Sequence, residues 1–295
     1  MASNRIIRCT NEDGFYLDFA ESGFGPFLLK EADGLYDVKN TVYMSENSMI
    51  DGATYQGSVA KFRNIVLHLT DTEDYSENRD MLNRLFKEKS KGTLVYQEAG
   101  TDPRKIEYVV ESLTSTGEDP YREHEISLIC PDPFFYATSA QSEALAYWQA
   151  DFIFPFVSPA DEGFIFGHRV TEKIKHITND FAEDNIGLTI TLTCTGQVVN
   201  PYITRIESNE VLHIGHANKA FGMQTGDVVT ITTATGNKHV TLTRNGVTTE
   251  INHYLTEDSV FIQLMRGENS IGYDASSGED SLLVDLSYQL KYARA

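Results

Sequence analysis

The stretch Ile129-Cys130-Pro131-Asp132-Pro133-Phe134-Phe135-Tyr136 constrains this chain more than any other. Each proline lacks a backbone donor, and each drives the residue before it out of the helical region. A strand running in through Glu125-Ile126-Ser127-Leu128-Ile129 must therefore stop here. The three aromatic side chains that follow need an already folded surface to lie on. A stiff, extended exit with an aromatic anchor suits a fixed joint between two folding units, whereas a flexible tether would be rich in Gly and Ser. The expected division is residues 1–137, a polar linker at 138–147, and residues 148–295.

At 295 residues each part is long enough to bury its own core. With 41% hydrophobic and 11% aromatic residues, the composition is that of a folded chain and excludes wholesale disorder. The net charge is −19, spread over both parts: 24 acids and 14 bases up to residue 137, 19 and 10 beyond it. No basic stripe is available to neutralise phosphates, so stable nucleic-acid binding is not expected. An evenly acidic surface suits solubility, or a wall that DNA slides past without sticking.

Cys9, Cys130 and Cys194 are odd in number and far apart. They form neither a disulfide framework nor a zinc spacing, and read as small apolar strand residues of a chain made in a reducing cytosol. The N-terminal residues lead into no apolar core of a secretory signal, and no apolar run reaches the length needed to cross a bilayer. No membrane anchor is expected.

In the first part, Arg5 to Cys9 and Phe15 to Phe19 read as strands around the turn Asn11-Glu12-Asp13-Gly14, followed by Gly34 to Met44 and Ala60 to Thr70. The latter pair is separated by Asp51-Gly52-Ala53-Thr54-Tyr55 and other turn formers. His68 reads as a satisfied core or edge histidine. Spacing predicts a helix from Tyr75 to about Lys89, with Leu82, Leu85 and Phe86 on one stripe and Met81 beside them. Glu73, Asp74 and Glu77 at its start and Lys87, Lys89 and Lys91 at its end match the helix dipole. Asp74 or Ser76 is the expected cap and Gly92 the left-handed exit. Strands at Thr93–Gln97, Lys105–Leu113 and Arg122–Cys130 complete an α+β pattern with an antiparallel sheet.

The segment from Tyr147 to Phe166 has no legible pattern. Beyond it, Leu188, Ile190, Leu192 and Cys194 alternate with Thr189, Thr191 and Thr193, the signature of a half-buried strand. Further strands are expected at Tyr202–Ser208, Val211–Ile214, Asp227–Thr233, Lys238–Arg244, Val247–Ile251, Ser259–Arg266, Ser270–Tyr273 and Leu282–Tyr292. Asn245-Gly246 predicts a type I′ hairpin turn. Short strands at regular intervals with no competing helix predict a β-sandwich.

Several motifs carry chemistry elsewhere but lack its context here. His213-Ile214-Gly215-His216 spells the signature of class I aminoacyl-tRNA synthetases, yet it sits among strands with no helix behind it. As a metal site it has no third ligand. Gly23-Phe24-Gly25-Pro26 lacks the third glycine of a dinucleotide fingerprint, and Pro26 interrupts the helix start. Asp161-Glu162 could belong to a glycosidase pair only if a second carboxylate stood at a fixed distance, which no spacing indicates. The sequence singles out no catalytic, cofactor-binding, metal-binding or interface residue, and no cluster that would define a saccharide site.

The order of the strand-end and turn signatures resembles the distal tail (Dit) proteins of long-tailed, non-contractile bacteriophages. In the first part the resemblance runs from Asp51-Gly52-Ala53-Thr54-Tyr55 through Asp74-Tyr75-Ser76-Glu77-Asn78-Arg79, Gly92-Thr93-Leu94-Val95-Tyr96 and Ile106-Glu107-Tyr108-Val109-Val110-Glu111 to the proline-rich joint. In the second part it is carried by Phe154-Pro155-Phe156, Asn200-Pro201-Tyr202-Ile203, Thr225-Gly226-Asp227, Leu264-Met265-Arg266-Gly267-Glu268-Asn269-Ser270-Ile271 and Leu286-Ser287-Tyr288-Gln289-Leu290-Lys291-Tyr292.

The resemblance implies a mainly β protein: an N-terminal belt domain (1–137) with an antiparallel sheet or split β-barrel and one helix, and a C-terminal galectin-like β-sandwich (148–295). It further implies a hexameric ring at the virion tail tip, made in the host cytoplasm. The ring's partners would be the tail tube protein, a tail-tip or tail-associated protein and, in some relatives, receptor-binding proteins. DNA would pass through the ring, with no catalysis and no cofactor. Exposed belt edges, each covered by the next copy, would close it. Three rivals stand beside this reading. One is a carbohydrate-binding host adhesin acting through the sandwich, and another is a tail-associated hydrolase. The third, a tail-tube or terminator subunit, is disfavoured by the long second part.

Overall fold

The computed structural model describes residues 5–21, 25–46, 51–72, 75–117, 122–150, 167–179 and 185–295. The chain divides into two compact units, Met1–Thr138 with Lys291–Ala295, and Ser139–Leu290. Both are mainly β, and the one α-helix among the described residues lies in the first.

The first unit runs β1 (Ile6–Asn11), β2 (Tyr16–Ala20), β3 (Phe27–Asp33), β4 (Asn40–Glu46), β5 (Ala53–Ala60), β6 (Arg63–Asp71), α1 (Tyr75–Leu85), β7 (Lys91–Gln97), β8 (Arg104–Thr116), β9 (Glu123–Cys130) and β10 (Phe135–Ala137). The order β8-β7-β1-β2-β3-β6-β9 returns on itself because β9 also pairs with β8, so the sheet closes into a barrel. Strand β8 makes closure possible. Residues 104–109 pair with β7, residues 109–116 pair with β9, and a register shift between Val110 and Ser112 bends the strand near the changeover. All barrel pairings are antiparallel except β2 with β3, which meet in parallel at the single pair Ala20–Leu28.

Alternation points Ile7, Cys9, Phe19, Ile65, Leu67, Leu94, Ile106 and Ile126 into one buried core. Helix α1 adds Leu82, Leu85 and the following Phe86, whose ring lies 6.1 Å from Phe19 and 6.2 Å from Tyr108. The helix ends earlier than its lysine-rich tail suggested, and the left-handed residue beyond it is Lys89 (φ 63°). Gly92 lies inside β7, where a Cβ would strike the Thr10 carbonyl and the Tyr108 ring. Its role is to make room for Tyr108. Of the expected helix caps, Asp74 lies outside the described residues.

Strands β4 and β5 pair only with each other, so they form a two-stranded arm apart from the barrel. The second of them was not expected, because Asp51-Gly52 and Gly57 read as turn formers. Strand β3 was likewise missed.

The second unit contains β11 (Gln141–Ala150), β12 (Gly167–Thr171), β13 (Ile174–Asn179), β14 (Ile186–Cys194), β15 (Val198–Arg205), β16 (Glu210–His213), β17 (Gly222–Met223), β18 (Val228–Ala234), β19 (Asn237–Arg244), β20 (Val247–Glu250), β21 (Gln263–Leu264), β22 (Gly267–Ser277) and β23 (Leu282–Tyr288). One sheet has the order β12-β11-β23-β14-β18-β19-β20 with β21 beside β14; the other has β13-β22-β15-β16 with β17 beside β15. Inward residues of both sheets, among them Ile190, Val229, Val284, Ile203, Leu212 and Ile271, share one core. This is a β-sandwich. Asn245 and Gly246 both have positive φ (51° and 77°), the backbone of the expected type I′ turn.

Three expectations need correction here. The supposed linker 138–147 contains most of strand β11, which pairs along β23. The expected strand Ser259–Arg266 shrinks to Gln263–Leu264. The single closing strand Leu282–Tyr292 breaks after Tyr288, and β24 (Lys291–Tyr292) pairs with β10 in the first unit. The expected boundary at 137 is a two-way crossing, since the chain returns to the first unit at Lys291.

Gly34 (φ +79°) has the Asn64 carbonyl where a Cβ would stand, whereas Gly14 (φ +80°) faces open space. Gly14→Ala should therefore cost only the left-handed backbone penalty of about 1–2 kcal/mol. Gly34→Ala should lose roughly 3 kcal/mol or more, because strain and steric overlap add. Urea unfolding of the two variants in parallel measures the difference.

Candidate functional site

The arm is the feature of the first unit that the barrel does not explain. Val42, Tyr43, Met44, Tyr55 and Val59 are 51–60% exposed, as is Phe62 at its base. Met44 stands opposite Tyr55 and shares a face with Val42, while Val59, opposite Thr41, shares the other face with Tyr43. Both faces of the ribbon are thus apolar. An isolated two-stranded ribbon is marginal in water, and large exposed apolar patches mark association surfaces. Residues 39–62 hold two bases (Lys39, Lys61) and two acids (Glu46, Asp51), a neutral island in a chain of net charge −19. The barrel strands have spent their edges on closure, so the open edges expected of the belt are not found there. Among the described residues of this unit, the free strand edges are those of the arm and of the short β24–β10 end of the sheet.

The base of the arm is built around Arg63, 3% exposed. Its guanidinium donates from Nε to Pro133 O (2.7 Å), from Nη1 to Gly34 O (2.7 Å) and Leu35 O (2.8 Å), and from Nη2 to Ala293 O. It also stacks on Phe135, 5.0 Å from the ring centre. Burial lowers its pKa from the ordinary arginine value. The groups it holds are backbone carbonyls, so this arginine positions chain segments and leaves no acid–base chemistry to perform. A pocket beside it is lined by Asp33, Asp37, Lys39, Lys61, Phe62 and Pro133.

On the same unit, Asp71 and His124 are each 1% exposed in their side chains and 3.1 Å apart. His124 Nδ1 meets Ser115 Oγ at 2.8 Å, and Asp71 Oδ1 accepts from Asn78 Nδ2 at 3.1 Å. The order Ser–His–Asp is that of a nucleophilic triad, yet Ser115 and His124 are direct cross-strand partners on β8 and β9. Asn78 donates onward to Pro26 O. The chain of bonds ties the first turn of α1 to the barrel wall.

The other residues singled out in the sequence are scattered. His68 sits half-exposed on β6, 3.5 Å from Asp33. His213 packs edge-on against Tyr202 at 4.7 Å, and Tyr202 donates to Asp274 at 3.2 Å, making a polar row across β16, β15 and β22. Burial lowers the His213 pKa, with His216 adding to the effect. Gly215 explains the tetrapeptide: its N–H donates to Tyr254 O at 2.9 Å, its φ is +86°, and a Cβ would strike Asn200 Oδ1. Pro26 accepts bonds from Thr72 and Asn78, which is a structural role. Asp161-Glu162, Gly23-Phe24 and Phe154-Pro155-Phe156 lie outside the described residues.

The three cysteines are buried free thiols, and burial pushes Cys9 well above the usual range and Cys130 up to about 12, which makes poor nucleophiles. Among the described residues no group of three or more His, Cys, Asp or Glu could hold a metal ion, and no helix is long and apolar enough to cross a membrane.

Comparison with known proteins assigns the class. Residues 182–292 match the family described as siphovirus-type tail component, C-terminal domain. The Dit protein (gp 19.1) of phage SPP1, described as a hub adsorption apparatus in phages infecting Gram-positive bacteria, has a similar structure. The two superpose with a TM-score of 0.66 at 12% identity, over 97% of this chain and 99% of that one. The phage P2 baseplate in its activated conformation with Ca contains a chain similar over 100% of both, with a TM-score of 0.51 at 12% identity. Its counterpart with Sr gives the same score and identity over 99% of both chains. No curated protein matched the sequence. Residues 182–292 thus carry the pattern of the siphovirus-type tail component C-terminal domain, and all but the last two of them fall within the second unit. The solved structures add that the fold is shared over both units.

Two measurements check the site's polar contacts. Asp71→Ala removes the acceptor shared by His124 and Asn78 and should cost about 3 kcal/mol in urea unfolding. In the second unit, hydrogen bonds from Arg244, helped by Gln224 N–H, hold the Asp227 carboxyl below the usual range against its burial. A depressed folded-state pKa contributes stability that is present above the unfolded value near 4 and is lost as pH falls through the folded value. Asp227→Asn should therefore lower stability at pH 7 and flatten its decline below about pH 4, read from thermal melts across that range.

Proposed function

We propose that this tail component is the hub of the tail tip. In this reading six copies close head to tail into a ring, with the first unit (1–138 and 291–295) as the ring-forming belt and the second (139–290) as a galectin-like sandwich. The ring joins the tail tube protein to the tail-tip protein, offers a mounting point for receptor-binding proteins, and lets DNA pass. Its work is positioning and sealing, with no chemical step. The chain is made in the cytoplasm of the bacterial host and resides in the virion tail.

The observation that carries the reading is the arm. A closed barrel has no edge to offer a neighbour, so the unit's means of association is a ribbon with apolar side chains on both faces. A head-to-tail contact uses different patches on the two partners, which is the geometry that generates rings. The charge distribution agrees. Copies with a net charge of −19 repel one another except where they are neutral, and the arm is neutral. The same acidity suits a wall along which DNA moves without sticking.

Sedimentation or native mass measurement tests the ring. Six chains of 33.1 kDa should assemble to about 200 kDa. Charging both faces of the arm with Tyr43→Asp and Met44→Asp should shift the mass towards 33.1 kDa while circular dichroism stays that of the folded chain. A wild-type chain whose mass stays at one subunit at the highest concentration reached would contradict ring closure by this chain alone.

A further inference from the structure

The arm leaves the barrel after Asp33 and returns at Arg63, and both of its roots are fastened to the same remote peptide. Ala295 N–H donates to Leu35 O (3.1 Å) on the outgoing root. Arg63, on the returning root, donates to Ala293 O and also to Gly34 O and Leu35 O. One guanidinium therefore binds the outgoing root, the returning root and the peptide to one another. From its other side the peptide is gripped by Arg104, whose guanidinium stacks 4.0 Å above Tyr292 and donates to Arg294 O at 2.7 Å. Tyr292 pairs with Phe135, and Tyr292 and Ala295 pack against the barrel core.

We infer that residues 291–295 are a strap that fixes the direction of the arm, so that self-association through the arm requires the strap to be seated. The inference rests on the arm being the self-association surface, as proposed above. A two-stranded ribbon contributes little rigidity of its own, so its direction is set at its roots. The barrel supplies strands β3 and β6 up to those roots, and the strap ties the two roots together. Arg63 and Arg104 are the positioning residues. A consequence for assembly follows from sequence distance, because Arg63 and Ala293 are 230 residues apart. The arm is aimed only after the second unit has been made and the strap has docked, which keeps unfinished chains out of the ring.

The test removes residues 293–295 and follows two signals in one preparation. The first is hydrogen exchange at the Lys61 amide, which donates to Lys39 O (2.8 Å) across the two roots. The second is the association constant from sedimentation. With circular dichroism unchanged, exchange at Lys61 should speed up at least tenfold and association weaken at least tenfold. Unchanged exchange would overturn the strap's hold on the arm. Faster exchange with unchanged association would overturn its control of assembly. If wild-type chains do not associate at all, the ring reading fails, while exchange at Lys61 still decides whether the strap holds the arm. Should the shortened chain not fold, Arg104→Ala loosens the strap from its exposed side and leaves Arg63 intact, and the same outcomes apply.

Discussion

One buried guanidinium, that of Arg63, organises the base of the arm. Burying a guanidinium is costly, and here the compensation comes from backbone carbonyls and the face of Phe135. Each charge-assisted bond contributes about 1.5–3 kcal/mol, so four of them offset a desolvation cost of several kcal/mol. Carbonyl acceptors have a structural consequence that a carboxylate would not: they belong to fixed backbone and bring whole chain segments to one point. The proline joint, both roots of the arm and the strap meet at that guanidinium. Lysine could not replace it, because a point charge on a flexible stem has no planar fork to address four acceptors in set directions.

Barrel closure gives this knot its importance. The bend in β8 lets one strand serve two neighbours, and the sheet that results has no long edge exposed to solvent. Open belt edges were the expectation; the barrel strands close on themselves, and among the described residues of the first unit the long free edges belong to the separate ribbon. Closure protects the barrel from indiscriminate edge-to-edge pairing. The ribbon concentrates the apolar surface in a place where it can be aimed. Under the proposed function, this division separates stability, held in the barrel, from association, assigned to the arm.

What the sequence disclosed depended on burial. Strand β14 was legible because its alternate residues are buried, so Leu188, Ile190 and Leu192 alternate with threonines. The Asn245-Gly246 turn was legible because only such residues accept two successive positive φ angles. Helix α1 showed its buried stripe, but its end did not, since Lys89 took the left-handed conformation expected of Gly92. Strand β5 was hidden because it is exposed along most of its length and leaves no periodic trace of burial. Strand β11 reads as a polar linker because β23 supplies the pairing partner 140 or so residues away. Arg63 left no signal at all: its partners are carbonyls, which every residue carries, brought in from 28 to 230 positions along the chain. The family resemblance survived these gaps because it rested on turns and strand ends in order.

The most direct test of the account is a structure of the assembled tail tip at side-chain resolution, read at residues 40–60. The account predicts that each arm lies against the next copy of the chain, with Val42, Met44 and Tyr55 on one face and Tyr43 and Val59 on the other withdrawn from solvent, and Arg63 still holding Leu35 and Ala293. Arms projecting into solvent, in a ring closed through other surfaces, would contradict it.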